Sequence, residues 1–207
     1  MSSTMLPLFP LGVVLFPGSA LPLHIFEERY KLLVGQSSQT GAEFGVNLTE
    51  NGNLSEVGCT ARVRDVVRRF EDGSFDVIVD GIRRYDLLEF HKDRAPYYVG
   101  TVVFREPSQE ERDRALLSET LALYNKLVRV VYKDGRFVID EEEADQVHSY
   151  RIAQKVGLDL ATRQHLLEVD SENERLELLR AYLKDFLPRL ENAAEVDKVA
   201  RNDGYVS

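Results

Sequence analysis

The side chains that could do chemistry are four histidines (His24, His91, His148 and His165), one cysteine (Cys59) and 35 acidic residues. Two carboxylate–histidine pairs stand at helical spacing, Asp145 with His148 and His165 with Glu168. A dicarboxylate metal bundle needs paired Glu-x-x-His motifs on facing helices and two further glutamates. Here one pair runs in reverse order and the other has Asp in place of Glu, so all four histidines read as surface residues. Cys59 lies amid an alternating apolar run and reads as a small packed hydrophobe. A single cysteine excludes an internal disulfide and a multi-cysteine zinc site. It fits a reducing compartment, the cytoplasm. The loop Gly35 to Gly41, GQSSQTG, has five residues between its glycines and no Lys-Ser/Thr after them. It has nothing to hold a γ-phosphate or Mg²⁺. No Gly-x-Ser-x-Gly elbow is present, and no carboxylate pair is distinguished by its context. The expectation is a chain with no catalytic residue, no metal and no cofactor.

Charge narrows the partners. The 207 residues carry a net −9: residues 1–106 hold 11 basic and 14 acidic side chains, and residues 107–207 hold 15 and 21. Neither part is a basic field of the kind that drives phosphate binding. Arg62, Arg64, Arg68, Arg69, Arg83 and Arg84 cluster in sequence but alternate with Asp65, Glu71, Asp72, Asp80 and Asp86, which reads as a solvated, mixed-charge sheet face.

The elements that must position any site begin with an apolar run, MLPLFPLGVVLFPGSALPLHIFEERY, residues 5–30. A secretory signal wants a basic n-region and an unbroken apolar core; a membrane span wants about 20 apolar residues in continuous helix. The first basic residue here is Arg29, and Pro7, Pro10 and Pro17 break the run. It reads as extended structure of the fold, with no membrane partner. Leu6–Phe9 and Val13–Phe16 read as short strands, Pro17-Gly18 as a type II turn, and Leu21–Phe26 as extended. Glu27 and Glu28 open a helix at the end of its dipole that favours negative charge. Phe26, Tyr30, Leu33 and Val34 form its apolar face, and Gly35 ends it.

Strands continue to Phe104. Glu43–Thr49, Gly58–Phe70, Phe75–Asp80, Tyr85–Phe90 and Tyr97–Phe104 read as strands, with hairpin turns at Asn51-Gly52 and Asp72-Gly73 and a break or bulge at Gly81. The pattern changes at Pro107. Ser108 and Glu111 form a capping box, followed by apolar residues at helical spacing from Leu116 to Val128. Lys133-Asp134-Gly135 ends that helix or starts a small hairpin running to Asp140. Further helices read from Asp140 to Val156, from Ala161 to Val169, and from a Ser171/Glu174 capping box onward; Pro188 kinks or ends the last, and residues 192–207 read as a frayed tail. Strands first and helices second make an α+β fold, with domains at 1–106 and 107–207.

The segments LPLFPLGVVLFPGSALPLHIFEERYKLLV, VGCTARVRDVVRRFEDGSFDVIVDGIRRYDLLEF and YYVGTVVF resemble, in order and spacing, the N-terminal domain of Lon-type ATP-dependent proteases. Residues 107–190 resemble the helical part that follows in that family. The resemblance implies a PUA-like β pseudo-barrel followed by a C-terminal helical bundle. It implies a non-catalytic role in recognising protein substrates, in a stand-alone copy without ATPase or peptidase modules. The expected partners are unfolded or extended protein segments, or a partner protein, bound by a monomer or weak homo-oligomer acting in protein quality control. The residues expected at the binding surface are Phe26, Glu27, Arg29, Tyr30, Arg83 and Arg84, with Glu27 paired to Arg83 or Arg84. The alternatives are a PUA-like nucleic-acid-binding protein, against which the net charge of the barrel argues, and an enzyme whose site the motifs do not reveal.

Overall fold

The computed structural model describes residues 3–132, 135–144 and 146–203. It divides into two compact units: Met1–Pro107 with Asp159–Glu168, and Ser108–Leu158 with Val169–Ser207.

In the first unit, seven strands form one mixed sheet: β1 (Thr4–Leu11), β2 (Ala20–Ile25), β3 (Phe44–Glu50), β4 (Asn53–Leu54), β5 (Val57–Arg69), β6 (Phe75–His91) and β7 (Tyr98–Phe104). The order β1-β7-β6-β5-β3 closes on itself, because β1 also pairs in parallel with β3. Closure leaves the ring without edges. β6 is long enough to serve two neighbourhoods: Phe75–Asp80 pairs with β2, and Tyr85–His91 with β7. β4 pairs with β3 through a turn in which Asn51 and Gly52 both take positive φ (51° and 82°), the geometry that a two-residue hairpin demands.

Alternation sets the interior. Phe75, Val77 and Val79 of β6 are buried, as are Cys59 and Ala61 of β5, as the period of two predicts. Leu6, Leu8, Tyr85 and Val102 form one packed cluster inside the ring. The Tyr85 hydroxyl donates to Asn47 Oδ1, so the phenol fills the ring without leaving a bare polar atom. Gly45 and Gly58 leave the space that this phenol occupies. Gly81 sits against the Phe16 carbonyl, where a Cβ would collide, and Gly18 N–H donates to its carbonyl at 2.8 Å.

Several expectations need correction. β1 is one strand from Thr4 to Leu11, and Val13–Phe16 is not a strand. Val14, Leu15 and Phe16 are buried anyway, as a corner held by Ser19: its Oγ accepts from Phe16 N at 3.1 Å and donates to Phe16 O at 2.6 Å. Helix α1 (Glu28–Thr40) passes through Gly35 and ends at Gly41, whose φ of 71° supplies the left-handed cap. Gly35 has nothing within contact of its missing side chain, so nothing forces a stop there. Of the break or bulge expected at Gly81, the bulge is what occurs: β6 continues, and its register against β5 shifts between Cys59 and Ala61, the partners of Arg84 and Gly81.

Helix α5 (Leu160–Glu168) packs with the strands, although its sequence lies within the stretch read as the helical domain. Gln164 Nε2 donates to Val57 O at 3.1 Å, and the Arg163 guanidinium lies 5.1 Å from the Phe16 ring centroid.

The second unit contains α2 (Arg114–Tyr132), α3 (Glu141–Ala144), α4 (Ser149–Ala153) and α6 (Glu172–Asp203). α2 buries Leu116, Leu117, Thr120, Leu121, Tyr124, Leu127 and Val128, the predicted stripe, and α6 buries Leu176, Leu179, Leu183 and Leu187. The cap of α2 is Asp113, not the Ser108/Glu111 box: Asp113 Oδ1 accepts from Ala115 N and Leu116 N at 2.9 and 3.0 Å. The single helix expected from Asp140 to Val156 is two short ones. α4 starts afresh because the Glu172 carboxylate accepts from Ser149 N at 2.7 Å and satisfies a buried helix-start donor. At the start of α6, Ser171 Oγ accepts from Glu174 N at 3.0 Å, and Glu110 rather than Glu174 takes the Ser171 hydroxyl. α6 continues across Pro188 to Asp203, so neither the stop nor the fraying applies to its described part. Residues 135–140 form a turn and irregular chain. Lys133, Asp134, Asp145 and residues 204–207, on which other expectations fell, lie outside the described residues.

Candidate functional site

A concave surface of the barrel unit lies where α1 leaves β2 and passes the ends of β1, β6 and β7. Glu27 is the N-cap of α1, but its side chain makes no capping bond. The carboxylate turns instead to Arg29: Oε2 accepts from Nε at 2.9 Å and from Nη2 at 2.7 Å. This aligns the guanidinium 4.6 Å above the Tyr30 ring and 5.7 Å from that of Tyr98. Tyr30 is itself fixed from below by stacking on Phe9, with ring centroids 4.0 Å apart. Across the hollow, Phe90 on β6 and Tyr98 on β7 lie 6.0 Å apart at 44°, and Lys92 Nζ sits 5.8 and 5.4 Å from their centroids. Pro10, Thr49, Gly52 and Leu54 complete the lining of a hollow of about 230 Å³.

Electrostatics keep the hollow cationic. Burial works against the Arg29 charge, yet the hydrogen bond and attraction from Glu27 outweigh it and raise its pKa. Burial raises the Tyr30 phenol, which stays neutral. Aromatic faces beneath guanidinium and ammonium groups give an apolar yet positively charged surface. It can bind an apolar side chain and a negative group together. Among the described residues no group of three or more His, Cys, Asp or Glu could hold a metal ion. The one thiol, Cys59, is fully buried, and burial pushes it up to about 12, far from a nucleophile's range. His24 faces Asp76 at 2.7 Å on the surface, and His91 lies 3.8 Å from Glu89. His148 and His165 are exposed.

Of the six residues singled out by sequence, Glu27, Arg29 and Tyr30 line the hollow. Phe26 does not join the buried face of α1. It is 63% exposed and lies 6.0 Å from His24, which in turn meets the Phe70 edge at 5.5 Å. Arg83 and Arg84 point elsewhere. Arg83 Nε donates to Glu43 at 3.1 Å, and its guanidinium lies 3.6 Å from the Phe104 centroid. Arg84 is buried and donates to Leu167 O at 3.0 Å. The expected Glu27–Arg83/Arg84 pair is therefore absent: Arg29 reaches Glu27 within the same turn, and Glu43 is shared by Arg83 and Arg62. Arg64 pairs with Asp80, so three arginines of the sequence cluster are already matched by carboxylates. Sequence reading missed Phe90, Lys92 and Tyr98. Their one signal was position: two aromatics ending adjacent strands, with a lysine in the connection between them.

The family model of the ATP-dependent protease La (LON) substrate-binding domain matches residues 5–185. This chain belongs to that family. Curated relatives include the Lon protease of Cytophaga hutchinsonii (24% identical, covering 97% of this chain and 26% of the relative) and that of Escherichia coli K12 (25%, covering 95% and 26%). The Lon protease of Parabacteroides distasonis is 32% identical over 65% of this chain and 18% of its own length. The chain thus spans about a quarter or less of the curated relatives it matches. Among solved structures, the Lon N-terminal domain protein from Xanthomonas campestris superposes with a TM-score of 0.67 at 30% identity, covering 86% of this chain and 98% of that one. The N-terminal domain of Mycobacterium avium complex Lon protease shares the fold, with a TM-score of 0.65 at 16% identity over 88% and 99%. The family match runs through both compact units. Among the described residues no helix is long and apolar enough to cross a membrane.

Proposed function

We propose that this chain is a non-catalytic recognition module that binds unfolded or extended segments of other proteins in the hollow between α1 and the ends of β6 and β7. The observation that carries the reading is the aromatic-walled, cationic concavity of Tyr30, Phe90 and Tyr98 with Arg29 and Lys92, in a member of a substrate-binding domain family. Exposed aromatic and arginine side chains in a partly desolvated hollow are the residue types that dominate protein-binding energy. In this reading the chain acts as an adaptor in protein quality control, in the reducing cytoplasm, as a monomer or weak homo-oligomer.

The test is titration of the full chain against a fluorescently labelled, dephosphorylated casein, an unfolded protein, followed by anisotropy. Tyr98→Ala and Phe90→Ala should each weaken binding by about tenfold, the loss of one buried aromatic contact. Circular dichroism should stay that of the parent. Unchanged affinity in both folded variants would remove the hollow as the binding surface.

A further inference from the structure

Lys92 is the unusual member of the hollow. Arg29 has Glu27 as its counter-charge, whereas Lys92 has no carboxylate within 4.0 Å among the described residues. The hollow therefore carries one uncompensated positive charge in a chain whose net charge is −9. Its ammonium stands over two aromatic rings, 5.4 Å from the Tyr98 centroid and 5.8 Å from that of Phe90. Phe90 remains 37% exposed, so an apolar surface and an unmatched cation lie side by side.

We infer that the hollow selects extended segments in which an aromatic or large aliphatic side chain is followed, two residues on, by an acidic side chain. The inference rests on the reading of the hollow as the segment-binding surface and adds its selectivity. The spacing follows from strand geometry. An extended chain advances about 3.3 Å per residue and alternates its faces, so residues i and i+2 point the same way about 6.6 Å apart. Lys92 Nζ stands 5.8 and 5.4 Å from the Phe90 and Tyr98 ring centres, so a side chain packed on those rings and a carboxylate on the ammonium sit a short step apart on one face of the segment. An acidic residue at i+1 or i+3 falls on the opposite face of the segment. The carboxylate supplies the charge that Lys92 lacks, in a partly desolvated setting where a charge-assisted hydrogen bond is stronger than in water. Glu27 is already engaged by Arg29 and does not repel the incoming acid as a free carboxylate would.

The experiment compares four labelled peptides on one Gly-Ser background, carrying Phe-Gly-Asp, Phe-Gly-Asn, Phe-Asp-Gly or Ala-Gly-Asp, by anisotropy against the full chain at low salt. Phe-Gly-Asp should bind about tenfold tighter than Phe-Gly-Asn, the size of one charge-assisted bond, and tighter than the two remaining peptides. Lys92→Gln, a substitution at an exposed side chain, should erase that difference, so that the two peptides bind alike whatever affinity they then share. Added salt should shrink it. Equal binding of Phe-Gly-Asp and Phe-Gly-Asn overturns the inference. If Tyr98→Ala still weakens both peptides in that case, the hollow remains the binding surface and only the acid selectivity fails. Retention of the preference in Lys92→Gln also overturns it, and so does Ala-Gly-Asp binding as tightly as Phe-Gly-Asp, which would mark a simple anion site.

Discussion

Arg175 Nη2 lies 2.6 Å from Glu172 Oε2, one turn apart at the start of α6, with side chains only 8% and 12% exposed. The pair does not stand alone. Arg175 Nε donates to Ser149 Oγ at 2.9 Å and Nη1 to Val169 O at 2.6 Å, while Glu172 takes the Ser149 N–H and hydroxyl. One carboxylate thus neutralises a buried guanidinium and starts α4. Glu172→Ala should destabilise the protein by about 3–5 kcal/mol, because Arg175 is left as an unmatched buried charge. Urea unfolding measures it. A loss below about 1 kcal/mol would show that solvent reaches Arg175.

Glu27 and Arg29 make the opposite case. Their side chains are 42% and 39% exposed, and exposed pairs contribute about 0–1 kcal/mol. Glu27→Gln should leave the urea midpoint nearly unchanged while freeing the Arg29 guanidinium from its orientation over Tyr30. Casein affinity, not stability, should therefore respond. A large stability loss with unaltered affinity would count against the hollow.

Two glycines should respond with opposite signs. Gly35 lies inside α1 with open space around it, so Gly35→Ala should stabilise by about 0.5–1 kcal/mol through the helix propensity of alanine and a less flexible unfolded chain. Gly81→Ala drives a methyl group into the Phe16 backbone and should destabilise by about 1–3 kcal/mol. Thermal melts of the two variants against the parent decide both, and a shared sign would contradict the packing described for the Phe16 corner.

Acid should unlatch the start of α6. Hydrogen bonds from the Ser171 hydroxyl and then from Asn173 N–H hold Glu110 below its ordinary value of 4.5. A carboxylate whose folded pKa is depressed adds stability above its unfolded pKa and loses it as pH falls through the folded one. The urea midpoint should drop between pH 7 and pH 3.5 in the parent and drop less in Glu110→Gln. Parallel losses in the two proteins would mean that Glu110 contributes nothing to the acid limb.

A domain boundary near Glu106-Pro107 remains our proposal, with α5 folding alongside the strands. Brief protease treatment should nick the irregular chain at residues 135–140 before any site between Val77 and Ile82, where paired backbone resists cleavage. Early cuts inside β6 would refute the assignment.

Much of the barrel was legible because its signals are local. Alternation fixed β5 and β6, Asn51-Gly52 fixed a hairpin, and the stripe from Leu116 to Val128 fixed α2. What escaped was non-local. Gly35 carries a weak stop signal, which the burial of Ser37 on the inner face of α1 overrides. α4 begins where it does because of a glutamate more than twenty residues downstream. The partner of Glu27 was misassigned because sequence places an arginine beside it without showing which way the side chain turns. For the same reason the hollow was half seen: Glu27, Arg29 and Tyr30 lie within four residues of sequence, but Phe90, Lys92 and Tyr98 reach them only through the curvature of the sheet.

β1 has a neighbour on each flank. Against β3 it needs residues up to Leu48 (Leu11↔Leu48), but against β7 it needs Tyr98 to Val102 (Leu8↔Tyr98, Thr4↔Val102). On a ribosome the first stave of the barrel is therefore made long before the last one that must grip it. It can dock on β3 early by one flank, while its other flank, from Thr4 to Leu8, stays unsealed until β7 has emerged. The seam of the barrel is thus the last part that can form: the interior around Leu6 and Leu8 cannot close on Val102 until that residue has left the exit tunnel.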